Sequence, residues 1–169
     1  MKILLAIDNQ EIADDITAFM ESSAPGAGAE VKVVMVIPSI MAYAPLAIVP
    51  SLMQEQRDQT RNQALALVNN TARGIVNAFT EAHVEALVIE GTPAHEILSA
   101  ADDWGADLIY VGSHGKKGLR RMALGSVSQE VVSKANCSVF VVKDHTSTKK
   151  TSLERASRSN FTPSMAAHD

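Results

Sequence analysis

The run Gly112-Ser113-His114-Gly115, followed nine residues later by Gly125-Ser126, has the residue types and spacing that a phosphate site needs. It follows the apolar stretch Asp107-Leu108-Ile109-Tyr110-Val111, which reads as a strand, and precedes Val127-Ser128-Gln129-Glu130, which reads as the opening of a helix. Glycines let the backbone come close to an anion. A helix start supplies N–H groups without intrahelical acceptors and the positive end of the helix dipole. Lys116, Lys117, Arg120 and Arg121 place four cations between the glycine pairs. The chemistry this points to is phosphate binding, most economically on a nucleotide. Two commoner fingerprints fail. A P-loop requires glycine five residues after Gly112, where Lys117 stands, and the Gly112, Gly115, Gly118 spacing by threes does not match Gly-x-Gly-x-x-Gly.

Such a loop works only if the elements around it form a sheet with an open crevice. Apolar runs of strand length alternate with helical periodicity along the chain, the pattern of βαβ units and a parallel sheet. Strands are expected at residues 2–7, 31–37, 84–90, 107–111 and 138–143, and helices at about 11–22, 52–81, 93–104 and 127–135. Thr92-Pro93 opens the third helix and Gly105 closes it. Residues 38–51 form a long irregular connection, and Gly74 is a possible weak point in the second helix. The expected architecture is a doubly wound α/β fold, five parallel strands in the order 3-2-1-4-5 with helices on both faces. In that order the topological switch lies between strands 1 and 4, where ligands bind beyond the carboxyl ends. Asp8, at the end of strand 1, and Gly112, at the end of strand 4, then stand on the two lips of one crevice.

Composition narrows the function classes. The chain has 169 residues, of which 46% are hydrophobic and 20% charged, and a net charge of −4. That is a globular balance and speaks against a general nucleic-acid-binding surface. A single cysteine, Cys137, excludes an internal disulfide and suits a reducing cytosol. The opening Met1-Lys2-Ile3-Leu4-Leu5-Ala6-Ile7-Asp8 reads as a strand, not a signal peptide. No apolar run has membrane-spanning length, because Pro38, Pro45 and Pro50 break the longest one. Residues 1–144 read as one domain, and residues 145–169, rich in Ser, Thr, Lys and Arg without apolar period, as a disordered polar tail.

The spacing Gly-x2-Gly-x9-Gly-Ser resembles the ATP-binding signature of the universal stress protein family. The resemblance extends over about residues 1–143, through Ala6-Ile7-Asp8, Val34-Met35-Val36-Ile37-Pro38, Gly91-Thr92-Pro93-Ala94, Gly125-Ser126-Val127-Ser128 and Cys137-Ser138-Val139-Phe140-Val141-Val142. It departs at Met35, where histidine is frequent, and at Ser138, where proline is frequent. The resemblance implies that Asp8 contacts the nucleoside and that the backbone of Val36 meets the adenine edge. Gly112, Ser113, His114 and Gly115, with Gly125, Ser126 and Val127, would hold ribose and phosphates. It also implies a small cytosolic homodimer linked to stress survival, binding ATP with Mg²⁺ brought in by the triphosphate. Such a protein would be a nucleotide-responsive regulator or binding module and at most a slow ATPase. A nucleotide-free dimeric scaffold of the same fold is the alternative.

Each residue also carries a plainer reading. Asp8-Asn9-Gln10-Glu11 and Ser126-Val127-Ser128-Gln129 both read as capping boxes, and a cap oxygen has a lone pair to spare for a ligand. Gly112 and Gly115 could be turn glycines. The four cations could be a solvated loop, of which one or two approach phosphate. His114 has no carboxylate partner nearby in sequence, and His83, His95 and Glu96 form no recognisable metal set. Cys137 begins a buried strand and is expected to be inert. A phosphoacceptor domain fits poorly, since it wants an acidic pair where Asp8-Asn9 stands and an acceptor aspartate where Glu90-Gly91 stands. The strand from Ser138 to Lys143 is an apolar sheet edge without proline, and a two-fold pairing of that edge is the expected dimer interface. No nucleic-acid or membrane partner is expected, and the client protein is not specified by the sequence.

Overall fold

The computed structural model describes residues 1–23, 28–39, 50–113 and 124–143. In chain order the elements are β1 (Lys2–Ala6), α1 (Gln10–Ser23), β2 (Glu30–Ile37), α2 (Pro50–Ala78), β3 (His83–Glu90), α3 (Pro93–Trp104), β4 (Leu108–Gly112), α4 (Ser126–Lys134) and β5 (Ser138–Val142). The five strands form one sheet in the order β3-β2-β1-β4-β5, every pair parallel. This is the expected architecture, and element ends differ from the sequence reading by a few residues. The difference that matters is at β4, which continues through Gly112, paired with Val142. The proposed tail, residues 145–169, lies outside the described residues.

The strands are apolar on both sides because both sheet faces are covered. Along β1, Ile3 and Leu5 point into a core shared with Ile12, Ile16 and Met20 of α1 and Val68 and Ile75 of α2. Leu4 and Ala6 point the other way, onto Ala94, Ile97 and Ala101 of α3 and Val131 of α4. Period-2 alternation therefore sorts neighbours in sequence into two separate cores. α3 follows its local signals. Pro93 fills the first helical position after Thr92, although the Thr92 side chain makes no cap bond. Gly105 takes the left-handed conformation (φ 69°, ψ 51°), which lets the Ala106 N–H donate to the Ala101 carbonyl at 2.8 Å.

α2 runs unbroken through Gly74. Its first buried side chain among those described is Ala64, and the preceding residues 54–63 are exposed apart from the half-buried Arg57. The early turns of α2 therefore project past the C-terminal ends of the strands, tethered by an Arg57–Glu90 ion pair at 2.9 Å.

β5 uses both of its faces within the chain. Val139 and Val141 pack on the α3–α4 side, Val142 is buried on the other, and Phe140 stacks on Tyr110 (5.4 Å) and meets Phe19 at a tilt (5.5 Å) while remaining 47% exposed. Apolarity on both faces, taken from sequence as a mark of an interface, is accounted for by the two helical layers. Among the described residues, what stays open at this edge is backbone and part of Phe140.

Candidate functional site

The crevice lies where β2 and β4 both outrun β1. The ladder of β1 ends at Ala6, level with Val34 on one side and Val111 on the other, and the Ile7 N–H adds a bond to the Val34 carbonyl at 2.9 Å. β2 continues through Met35, Val36 and Ile37 with nothing of β1 beside it. In a parallel strand, successive residues turn their N–H and C=O to alternate sides. Glu30 and Val34 face β1, and the Ile37 carbonyl faces β3, where it accepts from the Gly91 N–H at 3.0 Å. Val36 therefore turns its amide and its carbonyl toward the space above Ile7 and Asp8.

The opposite lip is built from β4, β5 and α4. The Ser113 N–H donates to the Val142 carbonyl at 2.8 Å, and the Ser113 carbonyl accepts from the Gly125 N–H, also at 2.8 Å. The end of β4 and the start of α4 are thus joined directly. Buried Ser128 strengthens the joint, its hydroxyl donating to the Gly112 carbonyl at 2.5 Å. The first i,i−4 bond of α4 runs from Gln129 to Gly125. The N–H groups of Ser126, Val127 and Ser128 accordingly have no acceptor within the helix, and the helix dipole adds its positive end there.

Three local readings change. The cap of α1 is Asn9, not Asp8. Asn9 Oδ1 accepts from the Ile12 N–H at 2.9 Å, and Asp8 Oδ1 accepts from Asn9 Nδ2 at 2.9 Å. The cap of α4 is Gly125, extended at φ −59° and ψ 152°, with no side-chain cap bond, so exposed Ser126 is the first helical residue and not a cap. Ser126→Ala is then expected to leave the melting free energy of the unliganded protein within about 0.5 kcal/mol of the parent, as for an ordinary surface position. A loss near 1 kcal/mol in thermal or urea unfolding would reinstate the cap. Finally, Gly112 is a strand residue and is absent from the left-handed glycines among the described residues. Its missing side chain is a packing requirement: a Cβ there would lie 2.7 Å from Ile12 Cδ1 and 2.9 Å from Ile12 Cγ2.

Of the expected site residues, the crevice brings together Asp8, the Val36 backbone, Gly112, Ser113, Gly125, Ser126 and Val127. His114 and Gly115, with Lys116, Lys117, Arg120 and Arg121, lie outside the described residues. Asn9 and Ser128 were missed as contributors. Asn9 stood in the expected capping pattern and Ser128 in the Gly125–Ser128 motif, but nothing local pointed to the bond from Ser128 to Gly112, sixteen residues away.

No group of three His, Cys, Asp or Glu side chains suited to a metal occurs among the described residues. Cys137 precedes β5 and is half-buried; burial, then Asp102 and Asp107, raise its thiol pKa, which disfavours the thiolate. A groove of about 340 Å³ lies elsewhere, between α3 and the β2–β3 side of the sheet, lined by Lys32, Leu87, Ile89, Glu96 and Trp104 among others. Its cation is already engaged, Lys32 pairing with Glu85 at 3.1 Å and lying 4.7 Å from the Trp104 ring centroid.

The universal stress protein family profile matches residues 1–143. The chain belongs to the universal stress protein family. Universal stress protein YxiE of Bacillus subtilis is 30% identical over 147 residues, an alignment covering 84% of this chain and 98% of that protein. The solved structure of MJ0577, a universal stress protein of Methanocaldococcus jannaschii, superimposes with a TM-score of 0.72 at 29% identity, covering 84% of this chain and 94% of that one. An Arabidopsis thaliana family member solved with AMP bound has the same fold, with a TM-score of 0.62 at 17% identity and coverage of 88% and 94%. No helix among the described residues of this universal stress protein is long and apolar enough to cross a membrane.

Proposed function

We propose that this universal stress protein binds ATP in the crevice above β1 and acts as a nucleotide-responsive regulator or binding module in the cytosol. The observation that carries this reading is the overhang of β2. It turns one backbone donor and one acceptor, both from Val36, toward the crevice, opposite the open N-terminus of α4. An adenine edge presents an adjacent acceptor and donor, which one residue's N–H and C=O can meet. The α4 start and Ser126 suit an anion. Asp8, between them, suits a hydroxyl or amine of the nucleoside. By their resemblance to the family signature, His114 and Gly115 would supply the remaining phosphate contacts. The AMP found in the Arabidopsis relative supports an adenine nucleotide.

Mg²⁺ would arrive with the triphosphate. Hydrolysis needs an oriented water and a base beside the γ-phosphate, so the reading is of binding, with turnover slow where it occurs. The same reading includes a homodimer paired through the β5 edge.

Titrating Mg-ATP, ADP, AMP and GTP against thermal unfolding tests the assignment. Nucleotide at a hundred times its dissociation constant is expected to stabilise the native state by about 2.7 kcal/mol, a melting rise of roughly 5–10 °C. If no nucleotide moves the transition at millimolar concentration, the nucleotide-free scaffold replaces this reading.

A further inference from the structure

We propose that Asn9 is a positioning residue that holds the Asp8 carboxylate in the orientation in which it meets the nucleoside, an inference that rests on the nucleotide reading above. The side chain of Asn9 is held at both ends. Its oxygen accepts from the Ile12 N–H at 2.9 Å, and its nitrogen donates to Asp8 Oδ1 at 2.9 Å. The orientation of the amide follows from chemistry, because a backbone N–H can only donate and the atom facing Ile12 must be the oxygen. The NH₂ group is thereby directed at Asp8.

The anchor itself is rigid. The Asn9 carbonyl accepts from the Ala13 N–H at 3.2 Å, and both Ile12 and Ala13 are buried in the core beneath the crevice. Each hydrogen bond to a carboxylate narrows the range over which it turns about its terminal bond. Tied to Asn9, one oxygen of Asp8 is committed to α1 and the carboxylate plane is set before a ligand arrives. Ordering completed during folding is not charged again on binding, which raises affinity without a new ligand contact. Among good N-cap residues, asparagine alone joins the capping oxygen to an amide nitrogen long enough to reach Asp8. Serine caps equally well but ends one atom sooner.

Asn9→Ser in the full chain separates the two roles. Calorimetric titration with Mg-ATP, AMP and inorganic tripolyphosphate is expected to show ATP and AMP affinity lower by about 5- to 10-fold. Tripolyphosphate affinity and the melting temperature of the unliganded protein are expected to match the parent. With Asp8→Ala already present, Asn9→Ser is expected to change ATP affinity by less than about twofold, because the residue acts through Asp8. Parent-like ATP binding by Asn9→Ser would overturn the inference, as would an equal loss for tripolyphosphate or additive losses in the double variant. These outcomes leave the nucleotide reading standing. A parent protein that binds none of the adenine nucleotides removes that reading, and this inference with it.

Discussion

Gly112→Ala is expected to destabilise the folded protein by about 1–3 kcal/mol, the usual cost of forcing a methyl group into a filled core. The added carbon would stand 2.7 Å from Ile12 Cδ1, 2.9 Å from Cγ2 and 3.1 Å from Cγ1. Ile12 is 4% exposed and belongs to the core cluster that includes Ile7, Ile16 and Tyr110, so it has little room to give. In thermal unfolding the loss corresponds to a fall of roughly 2–4 °C per kcal/mol for a chain of this size. Ile12→Ala alone is expected to cost about 2–5 kcal/mol by leaving a cavity. The double variant should be more stable than the sum of the two losses allows, since the new methyl occupies part of that cavity. A Gly112→Ala protein that melts like the parent but has lost nucleotide affinity would return Gly112 to the role of a phosphate-approach glycine.

The second large effect concerns assembly. If the proposed β5-paired dimer forms, Val141→Pro is expected to leave a folded monomer, weakening association by roughly 10- to 100-fold, as the loss of one donor repeated by two-fold symmetry implies. The backbone identifies the residue. The Ser138 N–H donates to Asp107 and the Val142 carbonyl accepts from Ser113, so the even-numbered residues of β5 face β4. Val139 and Val141 therefore turn their N–H and C=O away from the sheet, and proline at such an outward-facing edge position breaks no ladder bond. Light scattering at micromolar concentration reads the oligomer, and thermal unfolding confirms that the variant is folded. A parent that scatters as a monomer, or a variant that remains dimeric, would remove β5 as the interface.

The sheet order was legible because the signals for it are local and repeated. Each apolar run sits between helical stretches, and handedness leaves few ways to arrange five parallel strands. The same rule located the crevice from Asp8 and Gly112 alone. The misreadings share a cause. Asp8-Asn9 offers two adjacent side chains that cap helices, and the pattern does not say where the strand lets go; the ladder, ending at Ala6, decides for Asn9. Ser126 fails as a cap because Gly125 is fixed by its bond to Ser113. Gly112 owes its small size to Ile12, a hundred residues earlier, a distance over which no spacing rule operates. The facing of the Val36 backbone likewise depends on its register with β1, so the direction of its N–H and C=O is read only from the fold.

The bond between Ser113 and Gly125 has a consequence for how such a protein can diversify. Ser113 and Gly125, which stand on either side of residues 114–124 in sequence, are clamped together by backbone atoms, with Ser128 bonded to Gly112 beside them. Loop-closure entropy grows slowly with length, about 0.6 kcal/mol for each doubling. Changes in the length of the sequence between those two residues are therefore expected to weigh little on the sheet. Ser113 and Gly125 can thus keep their places while the sequence between them, with Lys116, Lys117, Arg120 and Arg121, varies.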